Sequence, residues 1–151
     1  MKEYIYSRNA VYETLRARRR QVYQLLIGEG VQEKGRLNEI IALAKQQKIN
    51  SERVPRNRLD SIHRQHQGVA LQVGDYPYVD LVDILNLAQK RSEAPFVLLL
   101  DALQDPQNLG TLLRTAEAVG VHGVVIPLAH TAQVTPAVVN ASSGASEHLL
   151  I

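Results

Sequence analysis

The chain has no cysteine in 151 residues, which excludes disulfides and thiolate metal sites and suits a reducing compartment. No stretch approaches the roughly 20 apolar residues of a membrane span. The opening MKEYIYSRNAVYETL lacks the apolar core of a signal peptide. The expectation is a soluble, cytoplasmic protein with no membrane partner. Neither a G-x-G-x-x-G nor a Walker-type loop occurs, so nicotinamide and ATP chemistry have little support. His63 and His66 stand three apart without carboxylates at ligand spacing, so no metal is expected. Internal repeats and low-complexity tracts are absent. The apolar fraction, 45%, is ordinary for a globular protein, and the length fits one medium domain or two small ones.

What is present is unevenly distributed. Up to His66 there are fourteen Lys or Arg against seven Asp or Glu; from Gln67 onward, three against eight. A net +2 therefore hides a basic half and an acidic half, which argues for two modules with different partners. The basic half carries Arg16, Arg18, Arg19 and Arg20, then Arg53, Arg56, Arg58 and Arg64. A guanidinium pairs two oxygens at once and stays charged, so clustered arginine suits phosphate. A charge run is commonly only a solvated face, but this concentration makes RNA or DNA contact the better reading.

The first half alternates helix and strand signals. A helix is expected over Asn9 to Arg18, a strand over Gln21 to Ile27, and a turn at Gly28 to Gly30. Leu37, Ile40, Ile41 and Ala44 mark an amphipathic helix to about Gln47. A strand over Ile49 to Val54, a helix over Asn57 to Arg64 and a strand over Gly68 to Val73 complete a small α/β sandwich. Gly74 to Tyr78 (GDYPY) is the best boundary, and Val79 to Arg91 reads as a connecting or peripheral helix. The division expected is 1–73, a linker over 74–94, and 95–151.

The stretch FVLLLDALQDPQNLGTLLRTAEAVGVHGVVI, Phe96 to Ile126, is the most informative. Phe96 to Leu100 is short, apolar and suited to a strand buried on both faces. Asp105 then Pro106 matches an N-cap followed by proline at the first helical position. On a helical wheel Leu109, Leu112, Leu113, Ala116 and Val119 share one side, with Asn108, Thr111, Arg114 and Thr115 opposite. Gly120 would end this helix, and Val124 to Ile126 would begin the next strand. In such βαβ units ligands bind beyond the carboxyl ends of the strands, which points to the loop from Asp101 to Asn108. Asn108, Gly110 and Arg114 there are the groups a phosphate- or ribose-handling site needs. The plainer alternatives are a solvated helix residue for Arg114 and helix packing for Gly110. Asp101 and Asp105 could be an acid–base pair, although capping suits Asp105 better. The six tyrosines, Tyr4, Tyr6, Tyr12, Tyr23, Tyr76 and Tyr78, could stack on bases or simply be half-buried. A helix starting at Thr135-Pro136 and a third strand at Leu149 to Ile151 are expected near the end. Stopping inside an apolar triplet suggests a fragment.

These motifs together resemble the SpoU family of RNA 2′-O-methyltransferases. The Asn108, Gly110, Arg114 and Ala116 tract is similar to its first motif, and Ser143, Gly144, Ala145 and Glu147 to the stretch that follows. YSRNAVYETL and HQGVAL resemble the ends of its N-terminal substrate-binding domain, so the resemblance covers essentially the whole chain. It is most similar to the members that methylate guanosine in 23S rRNA.

The resemblance implies a small α/β substrate-binding domain before the N-terminal part of a parallel-sheet, knotted SPOUT domain. It further implies a homodimer with its active site near the interface, and S-adenosylmethionine as methyl donor. The later motifs lining that donor would lie beyond Ile151. It assigns activation of the ribose 2′-hydroxyl to Arg114. A guanidinium stays protonated, so binding the neighbouring phosphate and stabilising the alkoxide is the better role. Asn108 could orient the ribose or hold Arg114, and Gly110 would allow close backbone approach to RNA at the helix start. Glu147 could equally be an exposed polar residue or an interface contact. Arg16, Arg18, Arg19, Arg20, Arg56, Arg58 and Arg64 are the expected RNA contacts.

Overall fold

The structure is a computed structural model describing residues 2–151. It divides into two compact units, one ending at Tyr76 and the other spanning Pro77–Ile151. The break falls inside the GDYPY segment, where the proline and turn residues interrupt regular pairing.

The first unit runs β1 (Glu3–Tyr6), α1 (Arg8–Ala17), β2 (Val22–Gly28), α2 (Arg36–Gln46), β3 (Asn50–Val54), α3 (Arg56–Ile62) and β4 (Val69–Val73). Its sheet has the order β1-β4-β2-β3. Strands β2 and β3 are parallel, and β4 is antiparallel to both β1 and β2. Alternation along the strands builds two apolar faces. Leu71 stands across from Ile5 on one side and Leu25 on the other, and all three are fully buried. Neighbouring Leu26 and Ala70 point the other way, where they cluster with Val54 and with Leu59 of α3. Helices α1 and α2 pack on each other, burying Val11 and Leu15 from one and Leu37 and Ile40 from the other. Strand β1 was not foreseen; its place depends on pairing with β4, some 70 residues on.

Arg20 departs most from expectation. Its side chain is fully buried rather than presented to RNA. Nη1 lies 3.0 Å from Glu3 Oε2 and donates to the Gly74 carbonyl at 3.1 Å. The guanidinium also sits 5.1 Å from the Tyr76 ring centre. It fastens the start of β1 to the segment after β4.

The second unit runs α4 (Leu81–Lys90), β5 (Val97–Leu99), α5 (Pro106–Ala118), β6 (Gly123–Val125), α6 (Pro136–Ala141) and a short 3₁₀ helix (Ala145–His148). Strands β5 and β6 are parallel, in register Val97↔Gly123 to Leu99↔Val125. Helix α4 is more than a connector: Ile84 and Ala88 are buried, and a Cβ on Gly123 of β6 would meet Ile84 Cδ1 at 2.5 Å. At its start the Asp80 amide donates to Asp83. His122 ties β5 to its neighbours, accepting from the Phe96 amide at 3.0 Å while Nε2 lies 2.7 Å from Glu93.

Three apolar expectations fail here. Strand β5 is not covered on both faces, since Leu99 is 74% and Phe96 51% exposed. Only Leu109, Gly110, Leu113 and Ala116 of α5 are buried; Leu112 and Val119 face outward. The triplet at Leu149 to Ile151 forms no strand ladder, although the Leu150 carbonyl accepts from Val124 at 2.8 Å and that of Ile151 from Val79 at 2.9 Å. Glu147 is buried, not exposed.

Two substitutions test this packing. Arg20→Ala strands a carboxylate and a carbonyl, and should lower unfolding free energy by about 2–3 kcal/mol, with Arg18→Ala nearly neutral. Equal urea midpoints for the two variants would contradict the anchoring role. A Cβ on Gly110 would lie 2.4 Å from that of Ala141 on α6. Gly110→Ala should therefore cost about 1–3 kcal/mol despite alanine's better helix propensity, and a stabilised variant would refute the close packing.

Candidate nucleic-acid interface

In the second unit the chemistry gathers on α5. Asp105 caps the helix by accepting from the Asn108 amide at 2.9 Å, and Pro106 follows at the first helical position. Thr111 and Thr115 bond back along the helix to the carbonyls of Gln107 and Thr111. Asn108 and Arg114 are both exposed. Arg114 enters no ion pair or hydrogen bond among the described residues. Six residues separate it from Asn108, roughly 9 Å along the axis and about 120° around it. Asn108 therefore does not hold it. Gly110 is spent on α6, so its missing side chain serves helix contact rather than backbone approach to RNA.

A hollow of about 280 Å³ opens at the carboxyl ends of β5 and β6, lined by Leu99, Leu100, Asp101, Val125, Ile126 and Pro127. Its wall is mostly apolar, with one carboxylate. S-adenosylmethionine, with its sulfonium, amino acid and adenosine, would need more polar partners than these six residues offer.

In the first unit the arginines separate into committed and available ones. Arg20 is buried, Arg19 donates to the Tyr76 hydroxyl at 3.1 Å, and Arg53 pairs with Glu33. Arg58 lies 3.1 Å from Glu52 and Arg16 lies 3.5 Å from Glu13. Arg18 is exposed in the left-handed conformation at the end of α1. Arg56 is 83% exposed with only a 4.0 Å contact to Asp60, and Arg64 is exposed with no ion pair among the described residues. These last two share a hollow of about 440 Å³ beyond the carboxyl ends of β2 and β3. Sequence reasoning missed this hollow, although its signal was present in the Gly28-Glu29-Gly30 turn and the His66-Gln67-Gly68 triplet.

The triplet is held firmly. His66 Nδ1 accepts from the Gly68 amide at 2.8 Å, and its Nε2 lies 3.1 Å from Asp60. His63 stacks on Tyr6, with centroids 3.9 Å apart and planes within 10°. Burial raises the Tyr6 phenol above its ordinary pKa and keeps it neutral. Tyr4 packs against the Leu26 cluster while its hydroxyl accepts from Gln72, and Tyr12 lies under Arg36. No helix among the described residues is long and apolar enough to cross a membrane.

Comparison with known proteins bears on both units. Residues 4–79 match the family described as RNA 2′-O ribose methyltransferase substrate binding, and residues 95–151 match the SpoU rRNA methylase family. The YacO protein of Bacillus subtilis, provisionally assigned to the TrmH family of tRNA/rRNA methyltransferases, is 45% identical over 148 residues. That alignment takes in 97% of this chain and 59% of YacO. A Staphylococcus aureus relative with the same provisional assignment is 43% identical over 85% of this chain and 52% of its own length. The chain thus spans little more than half the length of these curated relatives. Two crystal structures share the fold, each with a TM-score of 0.72 and covering 99% of this chain. One is the SpoU methyltransferase AviRb from Streptomyces viridochromogenes in complex with the cofactor AdoMet, 20% identical, of which 54% is covered. The other is the AdoMet-bound rRNA methyltransferase from Sinorhizobium meliloti, 19% identical, of which 53% is covered. With both units matched in the same order, this chain belongs to the SpoU family of RNA methyltransferases.

Proposed function

We propose that this chain carries the RNA-holding domain and the ribose-activating helix of an S-adenosylmethionine-dependent RNA 2′-O-methyltransferase, acting on a guanosine of 23S rRNA. The observation that carries the reading is Arg114, an exposed guanidinium with no partner among the described residues, on the helix following β5. A surface arginine left uncommitted among the described residues suits an external phosphate. The basic first half supports RNA as that partner. Homodimer assembly and a cytoplasmic setting belong to the same proposal. The name shared by the bacterial relatives supports tRNA as the second reading of the substrate.

S-adenosylmethionine, when bound, supplies the methyl group. The residues of this chain have a narrower task. Arg114 holds the phosphate next to the target ribose and stabilises negative charge as it develops on the 2′-oxygen. It takes no proton, because a guanidinium remains charged; a phosphate oxygen or water accepts it. Asn108, nearly two turns nearer the loop, orients the ribose.

In a protein of the relatives' full length, Arg114→Ala should lower kcat for methyl transfer by about 10²–10³-fold and leave RNA affinity nearly unchanged. Parallel single-turnover and RNA-binding titrations measure both. Unchanged methyl transfer would leave only an RNA-binding module, in which replacing Arg18 and Arg64 would matter and Arg114 would not.

A further inference from the structure

The hollow beyond β2 and β3 is more than a gap between loops. Two of its glycines face side chains that leave no room for another: a Cβ on Gly68 would meet Val31 Cγ1 at 2.8 Å, and one on Gly28 would meet Val31 Cγ2 at 2.9 Å and Leu59 Cδ1 at 3.2 Å. The Gly28 amide donates to the Gly68 carbonyl at 2.9 Å, locking the two loops into one rim. Arg8 holds the far side, its amide donating to Gln67 Oε1 at 2.9 Å and its Nε to the Gln67 carbonyl at 3.1 Å. With His66 bonded at both ring nitrogens, the rim is preformed.

Its chemistry is divided. Val31 gives a partly exposed apolar wall backed by the buried Leu59, and Arg56 and Arg64 are cations with no strong partner among the described residues. Glu29 and Gln65 are exposed, and no side-chain bond engages either among the described residues. A site for free phosphate would not include a carboxylate. A site for a nucleotide can: the base lies on the apolar wall, Glu29 accepts from its N–H groups, Gln65 offers an amide edge, and the arginines meet the flanking phosphates. The volume falls in the small-ligand range of about 300–1,000 Å³.

We propose that this hollow seats one unstacked nucleotide of the RNA, with its base against Val31 and its flanking phosphates on Arg56 and Arg64. The proposal rests on the reading of this domain as an RNA binder and deepens it. It also explains why Arg56 and Arg64 stay uncommitted while Arg20, Arg53 and Arg58 are paired.

The test uses the 151-residue chain labelled with ¹⁵N. A short single-stranded RNA should shift the amides of Gly28, Gly30 and Gly68, guanosine 5′-monophosphate should shift the same amides more weakly, and inorganic phosphate should not. The doubly substituted Arg56→Ser, Arg64→Ser chain should lose those shifts. Its log K against log salt slope for single-stranded RNA should fall by about 1.4, since each phosphate contact contributes about 0.7. RNA binding with an unchanged slope and silent glycine amides would overturn the nucleotide seat while leaving the RNA-binding reading intact. Equal shifts with inorganic phosphate would also overturn it. Failure to bind any RNA would remove both.

Discussion

Parallel strand pairing is the constraint on which both units depend. A parallel pair cannot be closed by a tight turn, so each crossover carries a helix, and both strands deliver their carboxyl ends to one edge. In the first unit β2 and β3 do this across α2, and the hollow with Arg56 and Arg64 opens at that edge. In the second, β5 and β6 do it across α5, and the Asp101–Asp105 loop leads directly into the helix bearing Arg114. At each edge backbone amides and carbonyls have run out of strand partners. The same topology thus builds two different chemical environments from one rule.

Commitment of charge is the second organising fact. Eight arginines crowd the stretches from Arg16 to Arg20 and from Arg53 to Arg64, yet their surroundings differ widely. One is buried with Glu3 and Tyr76, and others are neutralised by Glu33 or Glu52. Exposed surface pairs contribute little to stability, so Arg53 and Arg58 can exchange an internal carboxylate for a phosphate at small cost. A buried guanidinium cannot make that exchange. The number of basic residues therefore overstates the binding surface.

Local pattern revealed the α5 region well, because cap, proline and apolar spacing all lie within fifteen residues. The N-cap at Asp105, the helix and the flanking strands stand where periodicity places them. What escaped was decided by distant partners. Strand β1 exists because β4 pairs with it, and Arg20 is buried because Glu3 and Gly74 reach it. Gly110 sits at a motif position that invites a phosphate reading, yet Ala141, thirty-one residues on, claims its empty side. Wheel geometry grouped Leu112 and Val119 with the buried stripe, but α6 and the 3₁₀ helix cover a narrower arc of α5 than the wheel assumes. The hollow of the first unit escaped for a related reason: its two glycine segments are about forty residues apart and are brought together by the β2–β4 ladder.

The central proposal is that a protein of the relatives' full length acts on the ribose, through a protonated Arg114, rather than on the base. The most direct measurement is the position of the transferred methyl group. A protein of the relatives' full length would be incubated with ribosomal RNA, tRNA and labelled S-adenosylmethionine, and the RNA digested to nucleosides for mass spectrometry. The account predicts 2′-O-methylguanosine from 23S rRNA. A base-methylated nucleoside, or no transfer to either RNA, would contradict it.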